Sequence, residues 1–319
     1  MKSSGLRFLI LSFFILNSLL SFSQTHQLCF TFDDLPVVTL RNKSIAYQKE
    51  VTEKILGTLT RHQIPAIGFV NAKKLYTDGA LDPQKTNLLK RWLDAKMDLG
   101  NHTFSHMDFH ENTFRAYAND IVKGEAELKV LLSSVGKSPH YFRHPYLRAG
   151  DTKAKTDSLH DFLQARGYEI APVTIDNAEW IFNSAYDSVL FVNDKQRMSE
   201  VGRSYIEYME QKVKYYEGQS QKLFGRNIKH ILLLHANRIN ADYLDDLIKM
   251  LKRNSYSFIS LKEALKDEAY STPITRYNRH WGMSWLDRWA LSRGEKAEFF
   301  KDEPSAPDFI MKLAKVEHE

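Results

Sequence analysis

The stretch Leu28-Cys29-Phe30-Thr31-Phe32-Asp33-Asp34-Leu35-Pro36 decides how this chain folds. Leu28 to Phe32 form an apolar run that reads as a buried strand, and Pro36 stops it. Two adjacent carboxylates follow the run directly. Neighbouring side chains of a strand point to opposite faces, so Asp33 and Asp34 share a site only where the strand ends and the chain turns. Two buried like charges side by side are costly unless a cation or a general-base role accounts for them. On its own, the pair is also what a solvated turn carries.

The surrounding pattern alternates strand and helix. Strand-like runs include Ala66–Val70, Tyr168–Thr174, Ile228–Leu234 and Tyr256–Ile259. Helical periodicity marks Ala46–Arg61, Pro83–Leu99, Thr113–Val135, Thr152–Arg166, Ala241–Asn254 and Leu261–Glu268. Such alternation predicts an α/β fold with parallel strands and an active face at their C-terminal ends. The stretch Ser184–Phe224 reads as mostly helical and packed on the outside.

Four more polar clusters are spread along the chain, most just after an apolar run. Asn101-His102-Thr103-Phe104-Ser105-His106 places histidines at i and i+4, one face of a helical turn, which is a spacing a single metal ion can use. Gly100 before it reads as the breaker of a helix and turn. With 12 histidines in the chain, a pair of surface histidines gives the same spacing. The others are Phe142-Arg143-His144-Pro145-Tyr146, then Asp176-Asn177-Ala178-Glu179-Trp180, and last Ile231-Leu232-Leu233-Leu234-His235-Ala236-Asn237. Singly, Arg143 passes for a surface cation, Trp180 for a core aromatic and His235 for a strand-terminal histidine.

The ordered set T-F-D-D, H-T-F-S-H, R-H-P-Y, D-N-A-E-W and L-L-L-H resembles the five motifs of the polysaccharide deacetylase (NodB-homology) carbohydrate esterases, over roughly Leu28 to Leu265. The resemblance implies a distorted (β/α) barrel that hydrolyses N-acetyl groups on amino sugars with one divalent metal. It implies Asp34, His102 and His106 as metal ligands and Asp33 as general base oriented by Arg143. The backbone N–H at Tyr146 would hold the oxyanion, and His235 would be the general acid with Glu179 as partner. Pro145, Tyr146, Trp180 and Leu233 would bind substrate, Trp180 walling the groove. Two departures stand out: Glu179 occupies the usual Asp position before Trp, and Leu147 replaces the glycine often found after the third-motif aromatic.

The chemistry is coherent without the family. Amide hydrolysis needs a nucleophile, an oxyanion stabiliser and a proton donor for the leaving amine. An Asp-His-His site leaves open positions on a metal, for which zinc is the first expectation and other first-row ions remain open. Arg143 would keep Asp33 ionised, and a carboxylate-held histidine is an ordinary acid near neutrality. Two rivals stand beside deacetylation: a metal-dependent amidase acting on a non-sugar amide or imide, and a non-catalytic glycan binder.

Lys2 and Arg7 precede an apolar stretch from Phe8 to Leu20, followed by Ser21-Phe22-Ser23, the pattern of a secretory signal. We therefore expect a signal over residues 1–23, a catalytic domain over 24–270, a C-terminal helical extension over 271–319, and an exported, periplasmic or secreted protein with no stable membrane span. Removing residues 1–23 lowers the formal charge from +5 to +3, mild basicity that argues against a nucleic-acid partner. The lone Cys29 makes no intrachain disulfide and reads as a small buried hydrophobe. The tryptophan-rich run Trp281 to Trp289 suits either a docked terminal helix or an aromatic platform for sugar rings. Oligomeric state is not readable from the sequence.

Overall fold

The computed structural model describes residues 26–277 and 282–319, so the expected signal and Trp281 lie outside the described residues. The first strand, β1 (His26–Leu35), runs to α1 (Ile45–Arg61), β2 (Ala66–Val70) and a small hairpin of β3 (Tyr76–Thr77) and β4 (Ala80–Leu81). Then follow α2 (Pro83–Asp94), β5 (Asp98–Asn101), α3 (Phe114–Ser133), β6 (Tyr141–Phe142), α4 (Lys153–Ala165) and β7 (Glu169–Ile170). Two helices, α5 (Glu179–Phe191) and α6 (Lys195–Phe224), precede β8 (His230–His235), α7 (Arg238–Arg253), β9 (Tyr256–Phe258) and α8 (Leu261–Ala264). The chain ends with α9 (Trp285–Arg293) and α10 (Asp308–Ala314).

The main sheet has the order β7-β6-β5-β2-β1-β8, with β9 paired to β1 and every pairing parallel. Its two ends meet where Ile175 bridges Leu232, Thr174 N–H donates to Ile231 O at 3.0 Å and Leu233 N–H donates to Ile175 O at 3.2 Å. The result is the expected distorted (β/α) barrel. The expected strand Tyr168–Thr174 is only partly realised: β7 covers Glu169–Ile170, and the closing segment makes single bridges instead of a ladder.

Period-two patterning in β1 sorts its side chains. Leu28, Phe30 and Phe32 face the helices, where Phe32 meets the Trp92 ring at 5.5 Å. Cys29 faces the interior with Ile67, Phe69 and Ile231, so its thiol is buried and pushed up to about 12. Burial on both faces is what a parallel sheet wrapped by helices requires.

Gly100 lies inside β5 and does not break a turn. A Cβ there would sit 2.4 Å from the Phe69 ring and 3.0 Å from Tyr141 O, so glycine admits the barrel interior and the next strand together. Helix α2 accordingly stops at Asp94, short of the expected Leu99. Among the described residues, no helix is long and apolar enough to cross a membrane. In the tryptophan-rich run, Trp285 and Trp289 are buried, so that segment docks on the barrel as a helix instead of presenting these two rings.

Candidate active site

β1 does not end before the acidic pair. It continues to Leu35, with a register shift against β2 between Phe32 and Leu35 and Asp34 at φ +65°. This irregularity turns Asp34 out of the normal alternation, so that both carboxylates enter one cavity at the C-terminal end of the barrel. The histidine pair is likewise not on a helical turn. Residues 102–106 form a loop after β5, with Thr103 at φ +64° and His106 at φ +57°. Those two left-handed residues bring the His102 and His106 rings to 4.8 Å by a route that i, i+4 helical spacing does not describe.

Among the described residues, Asp34, His102 and His106 each offer a ligand atom within 4.8 Å of the others. His106 Nε2 lies 3.5 Å and His102 Nε2 3.9 Å from Asp34 Oδ1. His102 Nδ1 is 2.9 Å from Arg143 O, and a carbonyl can only accept, so Nδ1 carries the proton and Nε2 faces the carboxylates with its lone pair. Burial lowers both histidines to about 4, which leaves them as neutral imidazoles. Burial works to raise the Asp34 carboxyl, but Lys74, His106 and His102 together hold it well below the usual carboxylate range. Asp34 Oδ1 is buried without a hydrogen-bond partner. Two neutral imidazole nitrogens around an unsatisfied carboxylate oxygen are a donor set that fits a divalent cation.

Asp33 is 4% exposed, and the fully buried Arg143 guanidinium reaches its two oxygens at 3.2 and 3.3 Å. Arg143 also donates to Ala171 O at 2.8 Å and Thr31 Oγ1 at 3.0 Å, and it lies over the Phe69 ring. It is thus a plug fixed by the barrel interior and not a surface cation. Burial raises the Asp33 pKa above its ordinary value in spite of Arg143. The expected help of Arg143 in keeping Asp33 ionised is thus opposed by desolvation.

Across the cavity, His235 ends β8 and its Nδ1 is 2.7 Å from Glu179 Oε2. Glu179 is 1% exposed at the start of α5. Its Oε1 accepts from the amides of Asn237 and Asn240, the latter at 3.0 Å. Burial works against the imidazolium, but Glu179 outweighs it and carries His235 up to about 9. The longer Glu side chain therefore does reach the histidine, supported by two asparagines.

A cavity of about 730 Å³ joins these groups, with Tyr146, Leu147, Trp180 and Leu233 also on its wall. Trp180 is 48% exposed, whereas Pro145 is buried beneath the turn and the wall there is made by Tyr146 and Leu147. Tyr146 and Leu147 both have left-handed φ, +55° and +53°. Leu147 thus occupies a conformation that suits glycine, and it packs on Val173 and Leu233. Sequence reasoning missed Lys74, whose Nζ lies 2.9 Å from Asp34 O and 3.2 Å from Oδ2. Its one signal was a basic pair, Lys73-Lys74, just beyond the C-terminal end of β2. It also missed Lys212, on α6, and Glu303, which carry no local signal.

Among known proteins, residues 23–165 match the family model described as polysaccharide deacetylase. The chain is 27% identical over 157 residues to the peptidoglycan-N-acetylglucosamine deacetylase of Bacillus cereus, a match covering 48% of this chain and 46% of that protein. It therefore spans about half the length of that relative. It is 24% identical over 228 residues to the peptidoglycan-N-acetylmuramic acid deacetylase PdaA of Bacillus subtilis, covering 71% of each. The solved chitin deacetylase of the fungal pathogen Colletotrichum lindemuthianum superposes with a TM-score of 0.50 at 19% identity, covering 81% of this chain and 93% of that one, a likeness of fold.

Proposed function

We propose that this deacetylase-family protein is an exported, metal-dependent hydrolase that removes N-acetyl groups from amino-sugar residues of a glycan. The observation that carries the reading is the convergence of three pairings on one cavity: Asp34 with two histidines, Asp33 with Arg143, and His235 with Glu179. A non-catalytic binder has no use for both a base and an acid. The family match over residues 23–165 supports the reaction class, and the fit of the donor set supports the metal.

Asp34, His102 and His106 would hold the ion, with zinc suited to the mixed nitrogen and oxygen donors. Such an ion polarises a carbonyl and lowers the pKa of water. The rest is done by the chain itself. Asp33, its pKa raised by burial, takes the proton of the attacking water, and Arg143 fixes its orientation. The Tyr146 backbone N–H would donate to the carbonyl oxygen as negative charge develops there. His235 is protonated at neutral pH and gives its proton to the leaving amine nitrogen. Trp180 offers a partly exposed ring to an apolar sugar face.

The test is acetate release from N-acetylglucosamine oligomers and peptidoglycan fragments, with and without a chelator. Metal-dependent release supports the reading. Release from small non-sugar amides alone would replace it with the amidase alternative.

A further inference from the structure

We infer that the segment beyond Gly282 closes one flank of the cavity and restricts the enzyme to the terminal residue of short amino-sugar chains. This deepens the deacetylase reading and rests on it. The segment follows the cavity rim from the third motif to the fourth. Gly282 sits so close to the Tyr146 turn that a Cβ would lie 1.7 Å from Tyr146 O. Next, Trp285 N–H donates to Val173 O at 2.7 Å and the Arg288 guanidinium donates to Leu147 O at 2.6 Å. Further on, Glu303 accepts from Lys212 Nζ at 2.5 Å and from Tyr216 Oη at 3.2 Å. Helix α10 packs on α5, and the Glu319 carboxylate accepts from Ala306 N–H at 2.7 Å and Tyr208 Oη at 3.1 Å. That same Tyr208 oxygen accepts from Ala178 N–H at 2.7 Å, beside Trp180.

Gly282, Glu303, Pro304, Ser305 and Glu319 thereby line the same cavity as Asp34, His102 and His106. The wall is anchored, not draped. Lys212 is 4% exposed and its ammonium lies near the Tyr208 and Tyr216 rings, so displacing Glu303 would leave a buried cation unpaired. Asp176 also faces the cavity, its Oδ1 accepting from Asn177 N–H at 2.8 Å. Asp176, Lys212 and Glu303 give this end a set of donors and acceptors suited to sugar hydroxyls. A polymer crossing the metal cluster needs open groove on both sides, and here one side ends in a polar wall. The cavity volume of about 730 Å³ falls within the range of about 300–1,000 Å³ typical of small-ligand pockets.

The decisive experiment maps acetyl loss on the pentamer of N-acetylglucosamine with the zinc-loaded full chain, by tandem mass spectrometry. We expect one acetyl group removed per chain, at a terminal residue. Calorimetry on the metal-free protein should give a pentamer capped with a bulky group at both ends at least ~10-fold weaker affinity than the uncapped pentamer, because the wall admits only a free terminus. Interior removal, or equal affinity for the capped and uncapped pentamers, overturns the proposal and leaves the deacetylase reading intact. No acetate from any oligomer overturns that reading, and the proposal falls with it. In a Lys212→Ala, Glu303→Ala double variant, which removes both partners of the pair, interior positions should become reactive. If it folds by circular dichroism and still removes only terminal groups, the wall is not the determinant; if it does not fold, the wild-type map decides.

Discussion

Glu179→Gln isolates the carboxylate that supports His235. The substitution keeps the shape and removes the charge. A glutamine oxygen can still accept from Asn237 and Asn240. Its NH2 then faces His235 Nδ1, which must become an acceptor, and that selects the neutral imidazole protonated at Nε2. In the wild type, the distance between the ordinary 6.5 and about 9, at about 1.4 kcal/mol per pH unit, makes Glu179 and its surroundings worth about 3.5 kcal/mol to the imidazolium. Because the folded value is raised, this contribution is fully present below about pH 6.5 and is lost as pH rises through about 9. Without Glu179 the desolvation of His235 is unopposed by its main partner, so its pKa should fall to the ordinary value or below it. At about pH 7.5 roughly a tenth or less of the variant would then carry the acid proton.

The assay is kcat for acetate release against pH on a soluble N-acetylglucosamine oligomer, with the His235 imidazole titrated in parallel by nuclear magnetic resonance. We expect the alkaline limb to move to lower pH by about two units or more, in step with the His235 titration. An alkaline limb that stays in place in Glu179→Gln, in an enzyme that His235→Ala inactivates, refutes the role given to Glu179.

Three further outcomes follow from the same geometry. The His102→Ala, His106→Ala double variant should lose its metal by elemental analysis and lose turnover, yet keep its fold by circular dichroism, since a catalytic site contributes less to folding than a structural one. Asp33→Asn should keep the metal and lose kcat by roughly 10²–10⁴-fold; loss of metal there, with retention in Asp34→Asn, would exchange the two assignments. Gly124→Ala places a Cβ 2.8 Å from the Thr103 carbonyl carbon. Gaining about 1 kcal/mol in helix propensity should not offset overpacking of about 1–3 kcal/mol against backbone, so thermal denaturation should fall and zinc affinity should weaken as the histidine loop is pushed.

How much of this was legible in the sequence depends on the range of the interaction. Strands such as Ala66–Val70 are local, and the alternation of strand and helix was enough for the barrel. The site residues were legible as types in order, but the backbone that aims them was not. Asp34, Thr103, His106, Tyr146 and Leu147 all take left-handed φ without being glycine, so no residue preference announces the turns they make. Gly100 misled for the complementary reason: its smallness serves a close approach by Phe69 and Tyr141, not a turn.

The sharpest division runs between the two carboxylate partnerships. Arg143 and Asp33 are 110 residues apart, and His235 and Glu179 are 56 apart. Each pair meets across the barrel, which closes through the Val173–Ile175 segment between β7 and β8. That segment has few ladder bonds of its own, and Trp285 N–H is donated to Val173 O from outside the matched family region. The C-terminal segment is therefore part of what holds the barrel shut at the point where base and acid face each other. Weakening the α9 contact should accordingly disturb catalysis before it disturbs the β1–β2–β5 side of the sheet, where the metal cluster is rooted. Arg288→Ala, which removes the bond to Leu147 O, should lower kcat while metal content is retained. Equal loss of metal and turnover would show instead that the two halves of the site stand or fall together.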